Sequence, residues 1–512
     1  MSDRKLRLMG LSVVASAGAG VLALTSVLHS AFAYGDDSTP DIGLVMGGSG
    51  LAIPGPEYVK AADELFINNQ LAPNFPDTTF PDPYANGLFT PEGLYPLTGV
   101  KTLSFNFPNG NSYPAGQETS VAQGVTILDN AITSNDKAGD VSTVFGYSQS
   151  STIASQYMAQ VDPSGTPDTN IDAQFVLIGD PSAPNGGLLE RFNVPGVPLN
   201  IPSLGTSFDS FTPADAFDTV IYTREWDGFA DFPRYPINLL SDLNAFLGIT
   251  YVHGHYLELS PDQIAPESST NPDGAILLPG SMDYGSGTTD SMTNYYMIPT
   301  ADLPLLDPVR AFPFLGNPIA DLLQPDLTLL VNLGYDNPNP LDGWDAGPAN
   351  VPTPFELLPS LSQVEGALKL LPSQTLVGIH DFIGDFTGSG PNPVSLASVA
   401  AIPAEVGAAA QQLAADPASL LASLPAIPTE IATTVANDVS TLYGTLLPTA
   451  DIVTAVAVNL PGYDAGLFLD NLTNPVNAIG LPIAADFALL TLAAGFEFDT
   501  LESAITTVLG SL

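Results

Sequence analysis

One serine, placed between an apolar run and a helical stretch, constrains this chain more than any other feature. Residues 141–145 are rich in β-branched and aromatic side chains, which is typical of a buried strand. Gly146 and Ser148 follow, and residues 151–158 have helical spacing without proline. A strand, a tight turn carrying a serine, and a helix form a nucleophile elbow, whose strained backbone requires small neighbours. An ordinary strand-to-helix turn capped by a serine is the alternative, because Ser150 stands where the usual pattern has glycine.

The rest of the chain alternates predicted strands with predicted helices. We expect strands at 42–46, 102–107, 141–145, 173–178 and 219–223. We expect helices at 117–134, 151–158 and 235–247. This alternation predicts the α/β class, with a mainly parallel sheet flanked by helices on both faces.

Composition excludes several classes of protein. The chain has 512 residues with Lys+Arg 11 and Asp+Glu 54, so its net charge is −43. Binding of nucleic acid is therefore not expected, since contact with phosphates needs a basic surface. The absence of cysteine excludes disulfides, a thiol nucleophile and cysteine metal sites. We expect no cofactor and no bound metal.

The amino terminus predicts export. Residues 1–33 begin with Arg4, Lys5 and Arg7, continue with an uncharged stretch at 8–28, and end in Ala-Phe-Ala at 31–33. This pattern indicates a signal peptide, and the uncharged stretch is also long enough for a retained membrane anchor. Both alternatives place the rest of the chain outside the cytoplasmic membrane.

A serine nucleophile needs a general base, which is normally histidine. The chain has four histidines, of which His29 lies in the export segment and His380 in a different compositional region. His253 and His255 follow the predicted helix at 235–247. In hydrolases with a nucleophile elbow, the order along the chain is serine, acid, histidine. This order favours His253 and His255 over His380.

Three aspartates are candidates for the acid that orients the histidine. Asp227 and Asp231 follow the strand at 219–223, and Asp180 follows the strand before it. Asp227 is nearer to the end of the last predicted strand, where a carboxylate holds a histidine ring in the required tautomer. Asp231 is the alternative acid, or it binds backbone N–H groups of its loop. Asp180 also suits a turn before proline.

The loop after the first strand is a candidate site for an oxyanion. Residues 47–50 read Gly-Gly-Ser-Gly, and such a loop brings backbone N–H groups close to a substrate oxygen. A simple glycine turn is the alternative.

Several motifs occur together in an order that resembles one known family. They are the Gly-Tyr-Ser-Gln-Ser elbow at 146–150 and the stretches 44–50, 175–181, 184–187, 222–233, 251–254, 305–308 and 329–334. Across about 40–340 the chain resembles the mycobacterial PE-PPE domain, a cutinase-like serine α/β-hydrolase. The resemblance implies a domain at 34–345 after the export segment, without an N-terminal PE or PPE module.

The resemblance also implies roles for individual residues. Ser148 corresponds to the nucleophile and His253 to the histidine of the Val-His-Gly turn. Asp227 corresponds to the acid and Asp231 to the trailing aspartate of the cutinase-like pattern, in which Ala230 replaces a cysteine. The oxyanion donors implied are the backbone N–H of Gln149 and a donor from the first loop, at Ser49 with Gly48. Asp231 and His255 stay as alternatives.

The carboxyl-terminal part, 346–512, is rich in Ala, Leu and Pro and has few charges. Its recurring Leu-Leu-Pro punctuation predicts several short helices that end at prolines. Residues 478–496 are apolar enough for a membrane span, but Pro482 and Asp486 lie within them. We therefore expect a helix that packs on protein or lies on lipid by its apolar face.

Three functions are consistent with these features. The first is an exported esterase or lipase that acts on acyl esters through an acyl-enzyme. The second is an acyltransferase of the cell envelope that uses the same intermediate and, as the resemblance implies, acylates trehalose-type glycolipids. The third is a non-catalytic envelope or surface protein on a hydrolase scaffold. The partners expected are an acyl ester or glycolipid substrate and, from the apolar carboxyl-terminal part, envelope lipid or membrane.

Overall fold

A seven-stranded sheet forms the centre of the computed structural model. The structure describes residues 41–79, 87–93, 119–162, 171–199, 208, 211–284, 291–393 and 446–511. The expected export segment at 1–33 and the expected strand at 102–107 lie outside these residues. The strands are β1 Asp41–Val45, β2 Thr78–Thr79, β3 Ser142–Tyr147, β4 Ala173–Ile178, β5 Thr219–Arg224, β6 Ile276–Leu277 and β7 Thr293–Ile298.

The sheet is parallel except at one edge. Its strand order is β2-β1-β3-β4-β5-β7-β6, and only the β6–β7 pair is antiparallel among the described strands. The predicted mainly parallel sheet is therefore confirmed. We expected the strand at 219–223 to be the last one. This is wrong, because β7 extends the sheet beyond β5. The sequence of β7, Thr-Asn-Tyr-Tyr-Met-Ile, is neither a continuous apolar run nor a regular alternation of apolar and polar residues, so it gave no strand signal.

The central strands are buried on both faces, which explains their nearly continuous apolar sequence. All six residues of β3 are buried, and so are the last four of β4. In a parallel sheet, successive carboxyl ends lie at the same edge. The turns after β3, β4 and β5 therefore converge, and these turns carry Ser148, Gly179 and Asp227.

Helices cover both faces of this sheet. The helices up to residue 332 are α1 Pro56–Ala62, α2 Ser120–Ala138, α3 Gln149–Val161, α4 Leu188–Arg191, α5 Leu239–Tyr251, α6 Pro261–Ile264, α7 Asp307–Arg310 and α8 Gly316–Asn332. Short stretches of other helix types lie at Asp63–Ile67, His253–Glu258 and Pro304–Leu306. Thr119 caps α2 by accepting a hydrogen bond from the N–H of Ala122, and Gly139 ends it at a φ of 85°.

The carboxyl-terminal part is helical, as predicted, with two long helices and two short ones among the described residues. They are α9 Leu361–Thr387, α10 Leu446–Thr454, α11 Leu460–Asp470 and α12 Pro475–Ser511, with a π-helical turn at Ala455–Asn459. Pro372 and Pro482 lie inside α9 and α12 rather than at their ends. For α9 and α12, the expectation of short helices that end at prolines is therefore wrong. Helix α9 packs tightly on α8, since Gly378 lies so close to Leu322 that a Cβ would come 2.2 Å from the carbonyl oxygen of Leu322.

Helices α11 and α12 pack against the sheet-containing part of the chain. The hydroxyl of Tyr463 donates to the carbonyl of Phe192 at 3.0 Å. The rings of Phe246 and Phe496 lie 6.0 Å apart. One buried apolar cluster contains side chains of both parts, among them Leu188, Leu189, Phe192, Phe232, Tyr463, Leu467, Ala484, Ala485, Ala488 and Leu492. The two parts therefore share a hydrophobic core.

Candidate active site

Ser148 occupies a strained position between β3 and α3. Its φ is 60° and its ψ −119°, a conformation that costs free energy for a residue with a Cβ. Ser148 is buried, with 8% of its surface exposed. The sharp turn places Ser148 directly before the first residue of α3. The first N–H groups of a helix have no partner within it.

Small residues make this turn possible. A Cβ on Gly146 would come 3.0 Å from the carbonyl oxygen of Ser150 and from the N–H nitrogen of Ser151. Ser150, which departs from the usual glycine, uses its hydroxyl. That hydroxyl accepts from the N–H of Tyr147 at 2.8 Å and donates to the carbonyl of Tyr147 at 3.1 Å. The serine thus satisfies two buried backbone groups that a glycine would leave to other partners.

The structure brings Ser148, His253 and Asp227 together. The Nε2 atom of His253 lies 2.8 Å from the Oγ of Ser148, and Nδ1 lies 2.8 Å from Oδ2 and 2.9 Å from Oδ1 of Asp227. His253 opens the helical turn that follows α5, and Asp227 lies just after β5. With the second nitrogen bonded to a carboxylate, the imidazole presents its other nitrogen to the serine hydroxyl.

Asp227 is held as a carboxylate inside the protein. It is fully buried, and burial alone raises its pKa. The charge and hydrogen bond of His253, with hydrogen bonds from the N–H of Phe229 and the hydroxyl of Tyr256, outweigh burial and hold the pKa of Asp227 below its ordinary value. An ionised carboxylate at this position stabilises a positively charged imidazole.

Three aromatic residues surround the histidine, and sequence reasoning missed all of them. The hydroxyl of Tyr147 donates to the carbonyl of His253. The hydroxyl of Tyr256 donates to Asp227 at 2.8 Å and accepts from the N–H of Arg224 at 2.7 Å. The ring of Phe229 lies 4.8 Å from that of His253, edge to face. The sequence carried one signal for Tyr256, since it lies three residues after His253 in the predicted histidine turn.

The alternative acid, Asp231, makes different contacts. Its Oδ2 accepts from the N–H of Trp226 at 2.9 Å, and Trp226 has a φ of 63°. Burial first, with the nearby charge of Glu225, raises the pKa of Asp231 well above its ordinary value. Asp231 therefore holds the strained backbone of the turn that carries Asp227, which is the loop-binding role that we considered for it.

The remaining candidates lie elsewhere. Within the described residues, the His255 ring makes no hydrogen bond to Ser148 or Asp227, and its buried Nδ1 has no partner. His380 is exposed on α9, beside Asp381. Asp180 accepts from the N–H of Ser182 and from the hydroxyl of Thr212, and burial raises its pKa to about 6. Asp180 is thus a turn residue. His29 lies outside the described residues.

The glycine loop after β1 faces the elbow. A Cβ on Gly48 would come 3.5 Å from the Cβ of Ser148, so the loop backbone is in contact with the serine. The hydroxyl oxygen of Ser49 is buried and has no hydrogen-bond partner among the described residues. Residue Glu92 fixes the far side of the loop, since its carbonyl accepts from the N–H of Gly50 at 2.7 Å.

Gln149 follows the serine directly and is firmly held. Its side-chain amide donates to the carbonyl of Gly93 at 3.0 Å and accepts from the hydroxyl of Ser120 at 3.0 Å. Its side chain is therefore engaged, and its backbone N–H lies in the first turn of α3. Within the described part of the chain, no cluster of His, Cys, Asp or Glu suits a metal ion.

A mainly parallel sheet, with a serine in a strained turn after its third strand and a histidine turn at the same edge, is the fold of the α/β-hydrolases. The chain belongs to the PE-PPE domain family, whose model matches residues 81–336. This confirms the resemblance that the sequence motifs indicated, although the matched region begins after β1 and the glycine loop.

The chain is similar to several proteins of Mycobacterium tuberculosis. The PPE family protein PPE28 is 39% identical across 95% of this chain and 69% of its own length. Esterase PE16 is 36% identical across 62% of this chain and 51% of its own length. Diacyltrehalose acyltransferase Chp2 is 29% identical across 50% of this chain and 68% of its own length. The chain thus spans between about half and about two thirds of these relatives, and no solved structure matches it.

Proposed function

We propose that this protein is a serine esterase or lipase that cleaves acyl esters through Ser148, His253 and Asp227. The observation that carries the proposal is the continuous path of hydrogen bonds from the Ser148 hydroxyl through the imidazole to a buried carboxylate. Its relation to Esterase PE16 supports the same reaction class. Nucleophilic catalysis requires this arrangement, in which the histidine lies between the serine hydroxyl and a carboxylate.

In the proposed reaction, the Oγ of Ser148 attacks the acyl carbonyl carbon while its proton passes to Nε2 of His253. The negative charge on the carbonyl oxygen is stabilised by the N–H of Gln149 and by donors of the glycine loop, at Ser49 with Gly48. The leaving alcohol takes the proton from His253, and the acyl group stays on Ser148 as an ester. A water molecule then gives a proton to His253 and attacks this ester. As the carboxylic acid is released, the proton returns from His253 to the Oγ of Ser148, which restores the hydroxyl. The unpartnered hydroxyl of Ser49 supports its assignment as a donor.

An acyltransferase is the second candidate. It differs only in the last step, in which a sugar hydroxyl rather than water attacks the acyl-enzyme. The similarity to Diacyltrehalose acyltransferase Chp2 favours this candidate. The acceptor would then be a trehalose-type glycolipid of the cell envelope.

A fluorophosphonate probe tests both candidates against a non-catalytic scaffold. We expect the full chain to be labelled, and labelling to disappear in Ser148→Ala. His253→Ala should lose labelling, while His255→Ala serves as the matched control and should keep it. A folded wild type that resists the probe would contradict the proposal. Acyl ester with and without trehalose then distinguishes hydrolysis from transfer by whether an acylated sugar forms.

We also propose that the protein acts outside the cytoplasmic membrane, exported by residues 1–33, and that it associates with envelope lipid. Two helical stretches, Thr449–Asp470 and Pro475–Glu502, have the length and apolar composition of membrane spans, and most of each is not buried. Exposed apolar side chains of α12 include Val476, Ile479 and Phe498. Flotation with zwitterionic vesicles tests this association; a chain that stays at the bottom of the gradient contradicts it. Vesicles of anionic lipid are the control, because the net charge of −43 disfavours them.

A further inference from the structure

A cavity of about 1110 Å³, including the space at its mouth, opens beside Ser148. Its polar end consists of Ser148, Gln149, Ser49 and Thr152. This is the end at which the proposed reaction takes place. The cavity extends away from these residues between walls that are almost entirely apolar, so its chemistry suits a hydrocarbon chain attached to the reacting ester.

Two parts of the chain supply these apolar walls. The sheet-containing part contributes Pro181, Leu188, Leu189, Leu199, Phe208 and Phe229. The carboxyl-terminal part, beyond the region that matches the PE-PPE family model, contributes Asp451, Ile452, Ala455, Val456, Asn459, Leu460, Leu489, Leu492, Ala493 and Phe496. The two polar side chains in this second set, Asp451 and Asn459, already interact within the protein.

The carboxyl-terminal wall is held firmly in place. Gly466 of α11 lies so close to Val197 that a Cβ would come 2.5 Å from its Cγ1. Gly495 of α12 lies against the ring of Phe246, where a Cβ would come 2.2 Å from Cε2. Such close approaches leave no room for a loosely attached helix. The wall therefore has a definite shape, which is what discrimination by chain length requires.

We propose that the helices at 449–496 form one wall of an acyl-chain site and thereby set which acyl lengths the enzyme accepts. The inference rests on the proposed ester cleavage at Ser148 and names its substrate class: esters of medium and long fatty acids. Each methylene that enters the cavity raises binding about fourfold, which corresponds to about 0.8 kcal/mol. The wall adds no binding free energy for short esters, because their acyl group ends near the polar residues.

Two pairs of variants test the wall, each with a matched control of the same residue type. Ala493 lines the cavity, whereas its neighbour Ala494 is exposed and faces a separate surface groove. Val456 lines the cavity, whereas Val458 is 65% exposed. The variants are Ala493→Trp with control Ala494→Trp, and Val456→Trp with control Val458→Trp. Ala493→Leu replaces the larger substitution if circular dichroism shows that the tryptophan variant does not fold.

The first measurement is kcat/KM for p-nitrophenyl esters with acyl chains of two to sixteen carbons. We expect Ala493→Trp and Val456→Trp to lose at least tenfold on the twelve- and sixteen-carbon esters and less than twofold on the acetate. The controls should match the wild type at every length. Equal profiles for cavity variants and controls would overturn the inference.

The second measurement does not need catalysis. In a Ser148→Ala background, binding of cis-parinaric acid, a fluorescent eighteen-carbon fatty acid, should weaken at least tenfold in the cavity variants and not in the controls. If this difference appears while the wild type cleaves no ester of any length, the acyl-chain site is supported and the proposed function is contradicted. If the wild type cleaves esters but cavity variants and controls bind the fatty acid equally, the inferred wall is contradicted and the proposed function is supported.

Discussion

Gly179 lies directly against the ring of His253. A Cβ on Gly179 would come 3.0 Å from Cε1 of the imidazole and 3.1 Å from the ring of Tyr256. The glycine ends β4 at a φ of 53°. The turn after β4 therefore forms one side of the space that the histidine occupies, and a residue with no proposed chemical role sets the position of the imidazole.

Gly179→Ala should lower kcat at least tenfold, because the added methyl displaces the imidazole from Ser148, and small displacements of a catalytic group cost large factors in rate. The control is Gly196→Ala. Gly196 also has a positive φ, 84°, but no atom lies within 4 Å of its Cβ position. Both variants should lose about 1 kcal/mol of stability through backbone strain. Ester hydrolysis and thermal unfolding of both variants check this, and equal kcat values would contradict it.

Asp227→Asn should reduce kcat/KM by about a thousandfold or more, because an amide neither fixes the imidazole tautomer nor stabilises its positive form. Asp231→Asn is the matched control. Among the described residues, Asp231 makes no hydrogen bond to Ser148 or His253; its Oδ2 accepts from the N–H of Trp226, and the oxygen of an amide can accept the same hydrogen bond. We expect Asp231→Asn to stay within about threefold of wild type. Steady-state hydrolysis of a short ester measures both, and the reverse order of effects would assign the acid to Asp231.

Ser150→Gly restores the usual glycine of the elbow and should nonetheless destabilise the protein. The variant removes the hydroxyl that pairs with both backbone groups of Tyr147, at a cost of about 1 to 2 kcal/mol. Ser134→Gly, at an exposed position inside α2, controls for the backbone entropy of glycine. Chemical denaturation compares the two, and a Ser150→Gly variant as stable as Ser134→Gly would rule out this role. Fluorophosphonate labelling should persist in both.

Glu92 should make the stability depend on pH. It is fully buried, and burial raises its pKa from 4.5 to about 8 despite a hydrogen bond from Thr90. A carboxyl whose pKa is higher in the folded state stabilises the fold at low pH, and this contribution disappears as the pH rises from about 4.5 to about 8. Each pKa unit corresponds to about 1.4 kcal/mol.

Glu92→Gln has no such titration. Between pH 5 and pH 8 its free energy of unfolding should therefore fall less than that of the wild type. Other buried carboxyls, such as Glu225 with a pKa raised to about 7, titrate in both proteins and cancel in the difference. Urea denaturation at the two pH values measures it. Parallel curves would show that Glu92 titrates as it does in the unfolded chain.

Local pattern was sufficient for the fold class, the family and the central strands. β3, β4 and β5 lie within a residue or two of their predicted bounds, because strands buried on both faces have continuous apolar sequences. Helices were placed less well: α5 begins at Leu239 rather than at 235, since the turn before it has the same apolar spacing. The carboxyl-terminal helices run through their prolines, because packing outweighs a local breaking signal.

Sequence by itself determined the candidates: a serine in an elbow pattern, three aspartates and two histidines, in the order of a hydrolase. Only the tertiary structure decided which of them meet. Ser148 and His253 are 105 residues apart in the chain, and they lie within hydrogen-bond distance because parallel strands bring their carboxyl ends to one edge of the sheet. Only the tertiary structure placed Tyr256 and Gly179 beside the imidazole, and the carboxyl-terminal helices beside Ser148. Contacts between distant segments depend on how surfaces pack, and no spacing along the chain encodes that packing.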